Sequence, residues 1–207
     1  MSFKRNNTIL KSTLSQEGVL RLTLNNPNNH NVLSEEMMEN IQLSLDQATK
    51  DKKTRVIIIS AEGSTFSAGH DLKELKSARK NSDKGKDYFN NIMLKCSKMM
   101  QSIVKNPKPV IAEVSGIATA AGCQLVASCD LAYAGPLAKF ATPGVNIGLF
   151  CSTPMVALSR NISNKHSMEM LLTGDLISSD KAAKIGLINE MISDDELQNF
   201  VLNKALK

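Results

Sequence analysis

Two stretches of the chain place small residues beside groups that could hold a developing negative charge. They are "AEGSTFSAGHDLKEL" at residues 61–75 and "SGIATAAGCQLVASCDLAYAG" at residues 115–135. Each follows a continuously apolar run and leads into a helical pattern. The first N–H groups of a helix have no partner within it, and small residues let a ligand come close to the backbone. Two such N–H groups converging on one carbonyl oxygen form an oxyanion hole, the device that stabilises charge in acyl chemistry. The dipole of the helix opened by the second stretch adds to that effect. A mechanical account competes on spacing alone: residues 118–122 are small so that the helix packs closely on a sheet. Gln124 stands at the opening of this helix. Its amide can orient a water molecule but cannot take a proton near neutral pH.

The elements that must position these loops are readable from periodicity. Residues 8–14 and 19–24 alternate as two short strands joined by the turn "SQEG", and "NNPNNHN" follows as a polar loop. Ser34 is an N-cap signal, with Glu35 and Glu36 at the positive helix end and Met37, Met38, Ile41, Leu45 and Ala48 forming the apolar stripe. "RVIIIS" (residues 55–60) and "PVIAEVSG" (residues 109–116) read as buried strands, and a long helix is expected from about Asp87 to Lys105. "LAYAG" is a third strand. The remainder reads as helical, with the short apolar run "INEMI" inside it. Alternating strands and helices define an α/β class with mainly parallel strands, whose ligands gather at the carboxyl ends of the strands. Both loops leave from there.

The chain has 207 residues, enough to bury a sizeable core, and no low-complexity linker divides it. Its formal charge of +5 favours anionic partners. The basic residues are mixed with acids and lack interleaved aromatics, so nucleic acid is not expected, whereas a phosphorylated small molecule suits the same field. No apolar run approaches the ~20 residues of a membrane span. Cys96, Cys123, Cys129 and Cys151 show no metal-ligand spacing, and three of them lie in apolar surroundings. A reducing compartment fits. The beginning of the chain reads as a mature cytoplasmic one, with a processed form in the mitochondrial matrix as the alternative.

The segments "FSAGHDLKEL", "GIATAAGCQLVASCDLAYAG", "FATPGVNIGLF" and "MLLTGDLISSDKAAKIGLINEMI" occur in an order that resembles the crotonase superfamily, the enoyl-CoA hydratase/isomerase family. The resemblance runs from about residue 8 to the end. It implies one crotonase-like domain over residues 1–207, with a ββα spiral core at about 8–160 and the start of a helical C-terminal region at 161–207. It further implies a coenzyme A thioester as substrate or ligand, no other cofactor and no metal, a role in fatty acid or acyl-CoA metabolism, and a homotrimer or hexamer. Carried over by position, the two oxyanion donors would be the backbone N–H groups of His70 and Ala121. Ser67, Ala68 and Gly69 would clamp the adenine end of coenzyme A. Gly122 would lie against the ligand. Asn29, His30, Asn31 and Val32 would form the early loop that touches coenzyme A, and Lys73 either reaches its phosphates or is a solvated helix residue. The His70 ring either faces the pocket or is a loop histidine whose backbone alone matters.

The resemblance breaks at the acids. Hydratases of the family hold and activate water with two glutamates, and here those positions read Gln124 and Gly144. Ordinary hydration therefore lacks both proton-transfer groups. Gly144 is expected to open space beside Asn146, Cys151 and Ser152. Related isomerases carry an acid at the place of Ser152. Cys151 is expected to be a buried structural thiol, Asp71 a helix cap, Asp130 a turn residue, and Glu113 a strand residue that faces away from the pocket or pairs with a base. The "SAGHD" loop also resembles that of acyl-CoA decarboxylases in the superfamily, although Cys151 replaces their tyrosine. The family's further C-terminal helices would lie beyond Lys207, so a short or truncated helical region is expected. Three readings follow: a thioester enolate enzyme, a non-catalytic acyl-CoA binding or regulatory protein, and an incomplete chain.

Overall fold

The structure is a computed structural model that describes residues 9–207; the expected start of the first strand at Thr8 lies outside the described residues. Strands β1 (Leu10–Leu14) and β2 (Val19–Leu24) form an antiparallel hairpin, with Leu10 opposite Leu24 and Leu14 opposite Leu20. Strands β3 (Val56–Ala61), β5 (Val110–Val114), β7 (Leu131–Ala134) and β10 (Glu190–Met191) continue the sheet in parallel from β2, in the order β1-β2-β3-β5-β7-β10. The mainly parallel α/β architecture is the one the alternation of elements predicts.

A second, smaller sheet escaped the sequence. It consists of β4 (Thr65–Ser67), β6 (Ile117–Thr119), β8 (Lys139–Ala141) and β9 (Ile177–Ser178). The first three are mutually parallel and β9 runs antiparallel to β8. Strands β3, β5 and β7 of the first sheet thus each turn sharply into a short strand of the second before a helix begins. The helices are α2 (Leu72–Ala78) after β4 and α4 (Ala121–Ser128) after β6. After β8 a 3-10 turn (Pro143–Ile147) intervenes before α5 (Ser152–Asn161). Strands of two or three residues carry too little pattern to be seen in a sequence. The turn between β5 and β6 shows why glycine is needed: Gly116 has φ +96°, and a Cβ there would collide with the Ser64 carbonyl.

Helix α1 (Glu35–Lys50) is capped by the Ser34 hydroxyl, which accepts from Met37 N at 3.1 Å, and it buries Met37, Met38, Ile41, Leu45 and Ala48 as its spacing predicts. Helix α3 (Lys86–Val104) matches the expected long helix to within one residue at each end. These helices cover one face of the large sheet, where Leu22, Ile57, Ile59 and Ala112 meet Ile41, Met99 and Ile103 in the main core. The opposite face carries Val19, Val56, Ile58 and Ile111, and α8 (Leu197–Ala205) covers it through Leu197 and Val201. Burial of both faces explains why "VIII" shows no alternation. Between these elements and α8 lie α6 (Asn164–Thr173) and α7 (Ser179–Ile185).

On the α8 side of the sheet, Arg21 grips Glu113 with two hydrogen bonds of 2.6 and 2.9 Å across the intervening β3. The two side chains retain only 18% and 11% of their exposure, so each charge depends on the other. Glu113 therefore pairs with a base, one of the two expectations for it. Asp130 accepts from Val110 N at 2.8 Å and so braces the turn before β7. Replacing Glu113 with alanine strands the Arg21 charge and should cost about 3 kcal/mol. Urea denaturation should read this as a lower midpoint with an unchanged slope. A loss under ~0.5 kcal/mol would mean that water already screens the pair.

Candidate active site

The two loops picked out by composition meet in space. The first runs from β4 through Ser67, Ala68, Gly69 and His70 into α2; the second is the turn from β6 through Ala120 into α4. Contact occurs at two points. A Cβ on Gly122 would collide with the Ser67 carbonyl. A Cβ on Gly69, which has φ +84°, would stand 2.9 Å from the Ala120 methyl carbon and 3.0 Å from Ala121 N. His70 thus follows a residue that packs directly against the first N–H of α4. Among the described residues, neither the His70 N–H nor the Ala121 N–H donates to another protein group. For Ala121, the first residue of α4, that is the normal condition of the amide.

Ala120 holds this turn in an uncommon conformation, φ 51° and ψ −121°. These are the dihedrals of the first central residue of a type II′ turn, a place glycine dominates. An alanine there carries about 1–3 kcal/mol of strain. The conformation is pinned by Ala120 N donating to Ala141 O at 2.9 Å and Gln124 N donating to Ala120 O at 3.0 Å. No sequence signal marks it, because alanine is not a residue one associates with positive φ.

The early loop closes the site from one side. Leu33 N donates to Gly69 O at 2.7 Å and Ala68 N to His30 O at 3.1 Å, so residues 30–33 are stitched to residues 68–70. His30 and Asn31 adopt left-handed φ of 51° and 48°. The Asn31 side chain is fully buried, accepting from Asn26 N at 2.7 Å and donating to Glu62 O at 2.9 Å and Thr65 O at 2.7 Å. Both of its N–H donors and one acceptor position are spent on holding the loop, and its burial leaves the backbone for a ligand. Val32 is buried beside it. Asp71 caps α2, accepting from Lys73 N at 2.8 Å, as expected. The Lys73 ammonium reaches Asn29 Oδ1 at 3.4 Å on the exposed rim. Ser67 accepts from Gly69 N at 3.3 Å and stabilises the clamp internally. Residues 67–70, residues 120–122 and the early loop at 30–33 therefore share one region.

The remaining positions behave differently. Gln124 is 93% buried, and its Oε1 has no hydrogen-bond donor. It lines a cleft of about 720 Å3 between α3, α4 and α5. Met93, Cys96 and Met100 form one wall and Val156 and Ala157 the other. The cleft does not include His70 or Ala121; Gln124, three residues from Ala121 on the same helix, connects the two regions. Side chains three apart share a helix face. The expectation that Gly144 opens space fails. A Cβ at 144 would collide with the Leu149 carbonyl and lie 2.7 Å from Cys151 Sγ, because the 144–151 segment folds back over the glycine. A glutamate at this position requires that segment to move.

Three titratable groups lie near these positions. Burial lowers the proton affinity of His70 below the ordinary histidine value, with the Leu33 carbonyl opposing weakly, so its ring is neutral at pH 7. Its Nδ1 is buried without a partner. Burial raises the Cys151 thiol and pushes Cys123 up to about 12, so both are inert hydrophobes and the structural reading of Cys151 holds.

The geometry is that of a two-sheet spiral presenting backbone amides at a helix start, and the sequence profile described as "Enoyl-CoA hydratase/isomerase" matches residues 15–207. The chain belongs to the enoyl-CoA hydratase/isomerase family. It is 47% identical over 198 residues to the protein of Rattus norvegicus named "Enoyl-CoA hydratase domain-containing protein 3, mitochondrial", covering 96% of this chain and 64% of that one. The Homo sapiens protein of the same name is 47% identical over 191 residues, covering 92% and 61%. The chain spans less than two thirds of the length of these curated relatives. The crystal structure of human enoyl Coenzyme A hydratase domain-containing protein 3 superposes with a TM-score of 0.89 at 45% identity, over 95% of this chain and 76% of that one. An enoyl-CoA hydratase of Mycobacterium smegmatis gives 0.90 at 42% identity, over 96% and 76%.

The depressed proton affinity of His70 has a testable sign. Below about pH 6.5 the unfolded chain binds a proton that the folded chain resists, so the stability present at neutral pH falls as pH drops towards the folded-state value. His70→Asn should flatten that part of the acid loss, read as urea midpoints between about pH 7.5 and about pH 5. Equal acid slopes in both proteins would show that the ring accommodates the charge.

Proposed function

We propose that this chain binds an acyl-CoA thioester with its carbonyl oxygen between the N–H groups of His70 and Ala121. The observation that carries the reading is the packing of Gly69 against Ala121 N, which brings the two loops bearing these amides together at the start of α4. Charge gathering on the thioester oxygen would meet two fixed donors and the positive end of a helix. In measured cases, loss of one such donor costs about 3 kcal/mol of barrier. Residues 29–33, Ser67, Ala68 and Lys73 would hold the coenzyme A portion, and the positive charge of the chain suits its phosphates. The acyl portion would pass Gln124 into the cleft between α3 and α5.

Enolate stabilisation is the chemistry these groups support, with isomerisation, decarboxylation or slow hydration as its outlets. Fast hydration is not supported. Gln124 offers no base, Gly144 offers no side chain, and the filled space at 144 leaves no room for a substitute acid there. The same observation favours a second reading, a thioester-binding protein without turnover. Assembly as a homotrimer or hexamer fits the family and the exposure of Ile147 (71%) and Leu149 (61%). The relatives named mitochondrial favour the mitochondrial alternative, and nothing supports the cytoplasmic expectation.

Calorimetric titration with acetyl-CoA, crotonyl-CoA and free coenzyme A, with crotonyl-CoA consumption followed in the same samples, tests the reading. Both thioesters should bind more tightly than free coenzyme A, and crotonyl-CoA should be consumed slowly or not at all. Gln124→Glu should raise hydration by about 10²-fold, the contribution of one general acid–base group. Equal affinity for thioester and free coenzyme A would remove the oxyanion reading. A folded Gln124→Glu protein with no gain would show that the missing carboxylate is not what limits hydration.

A further inference from the structure

We infer that Ala120 is a positioning residue whose methyl group sets the spacing and direction of the two amides; this rests on the thioester reading above. Its backbone, at φ 51° and ψ −121°, lies in territory where a Cβ is a liability. Glycine would occupy the same place without strain. Strained dihedrals persist only where the surroundings over-determine them, and they cluster at functional sites.

The methyl group has a specific neighbour. It faces Gly69, the residue before His70, at the point where any side chain on Gly69 would come within 2.9 Å of it. One small group therefore fills the seam between the loop that carries the His70 N–H and the turn that carries the Ala121 N–H. The peptide linking residues 120 and 121 holds the Ala121 N–H itself, so rotation about ψ of Ala120 swings that donor directly. With a Cβ at 120, few ψ values are open. With glycine, many are, and the donor is free to leave its aim.

The strain is not a requirement for folding. Ala120 N donates to Ala141 O and Ala120 O accepts from Gln124 N, and both bonds use backbone atoms that glycine retains. Removing the methyl group therefore leaves the connections of the turn intact while releasing its strain and its restriction. Gln124, further along the same helix, lines the separate cleft between α3, α4 and α5 with its buried Oε1 unpartnered.

The test is Ala120→Gly, with Ala120→Ser as the variant that keeps a Cβ. Differential scanning calorimetry should show Ala120→Gly melting at or above the wild-type temperature, by up to ~4 °C. Titration should show acetyl-CoA binding weakened about tenfold, short of the loss expected for a missing donor, with free coenzyme A bound as before. Ala120→Ser should keep the wild-type preference for acetyl-CoA over coenzyme A. That pattern separates positioning from packing, because a methyl group that only fills space would lower the melting temperature and move both ligands alike. A lower melting temperature for Ala120→Gly, or an unchanged preference for acetyl-CoA, would overturn the inference and leave the thioester reading standing. A wild-type chain that binds acetyl-CoA no better than coenzyme A would overturn both.

Discussion

The close approach of two strand-end loops at the start of α4 is the contact on which the rest of this site depends. It requires the absence of side chains at Gly69 and Gly122, where a Cβ would strike Ala120 or the Ser67 carbonyl. It also requires the short second sheet, because β4 and β6 lie side by side and deliver both loops to one place. The large sheet, buried on both faces, supplies the rigidity beneath. Small shifts at such a junction would be resisted by packing on every side.

The chemistry that this junction can offer is unbalanced. In the proposed reading, backbone amides and a helix dipole would stabilise negative charge, while Gln124 and Gly144 supply no carboxylate to move a proton. Gln124 presents a buried, unpartnered acceptor, which costs free energy unless water or a ligand supplies a donor. Gly144 is closed off by the backbone that follows it. The neighbouring thiols are held protonated by burial and do not replace the missing acids. In the thioester reading proposed above, a site of this kind would hold an oxyanion better than it would add water.

Much of this was legible beforehand, for identifiable reasons. The stripe of α1, its Ser34 cap and the cap of α2 by Asp71 are local patterns whose physics is contained in a few consecutive residues. The continuous apolar runs of β3 and β5 announced burial on both faces. The buried side chain of Asn31 is not legible in this way, since it is held by Asn26, Glu62 and Thr65, groups up to 34 residues away. The space expected at Gly144 was wrong for the same reason, since the Leu149 carbonyl that fills it comes from the fold of a loop.

By itself the sequence determined the α/β class and the small-residue make-up of the two loops, because each is a matter of residue type and short-range period. Only the tertiary structure decided that the loops touch, that Ala120 bears strain beside Gly69, and that Gln124 faces a cleft formed by three helices. Those facts depend on distances between segments far apart in the chain, and on backbone angles that an alanine does not advertise.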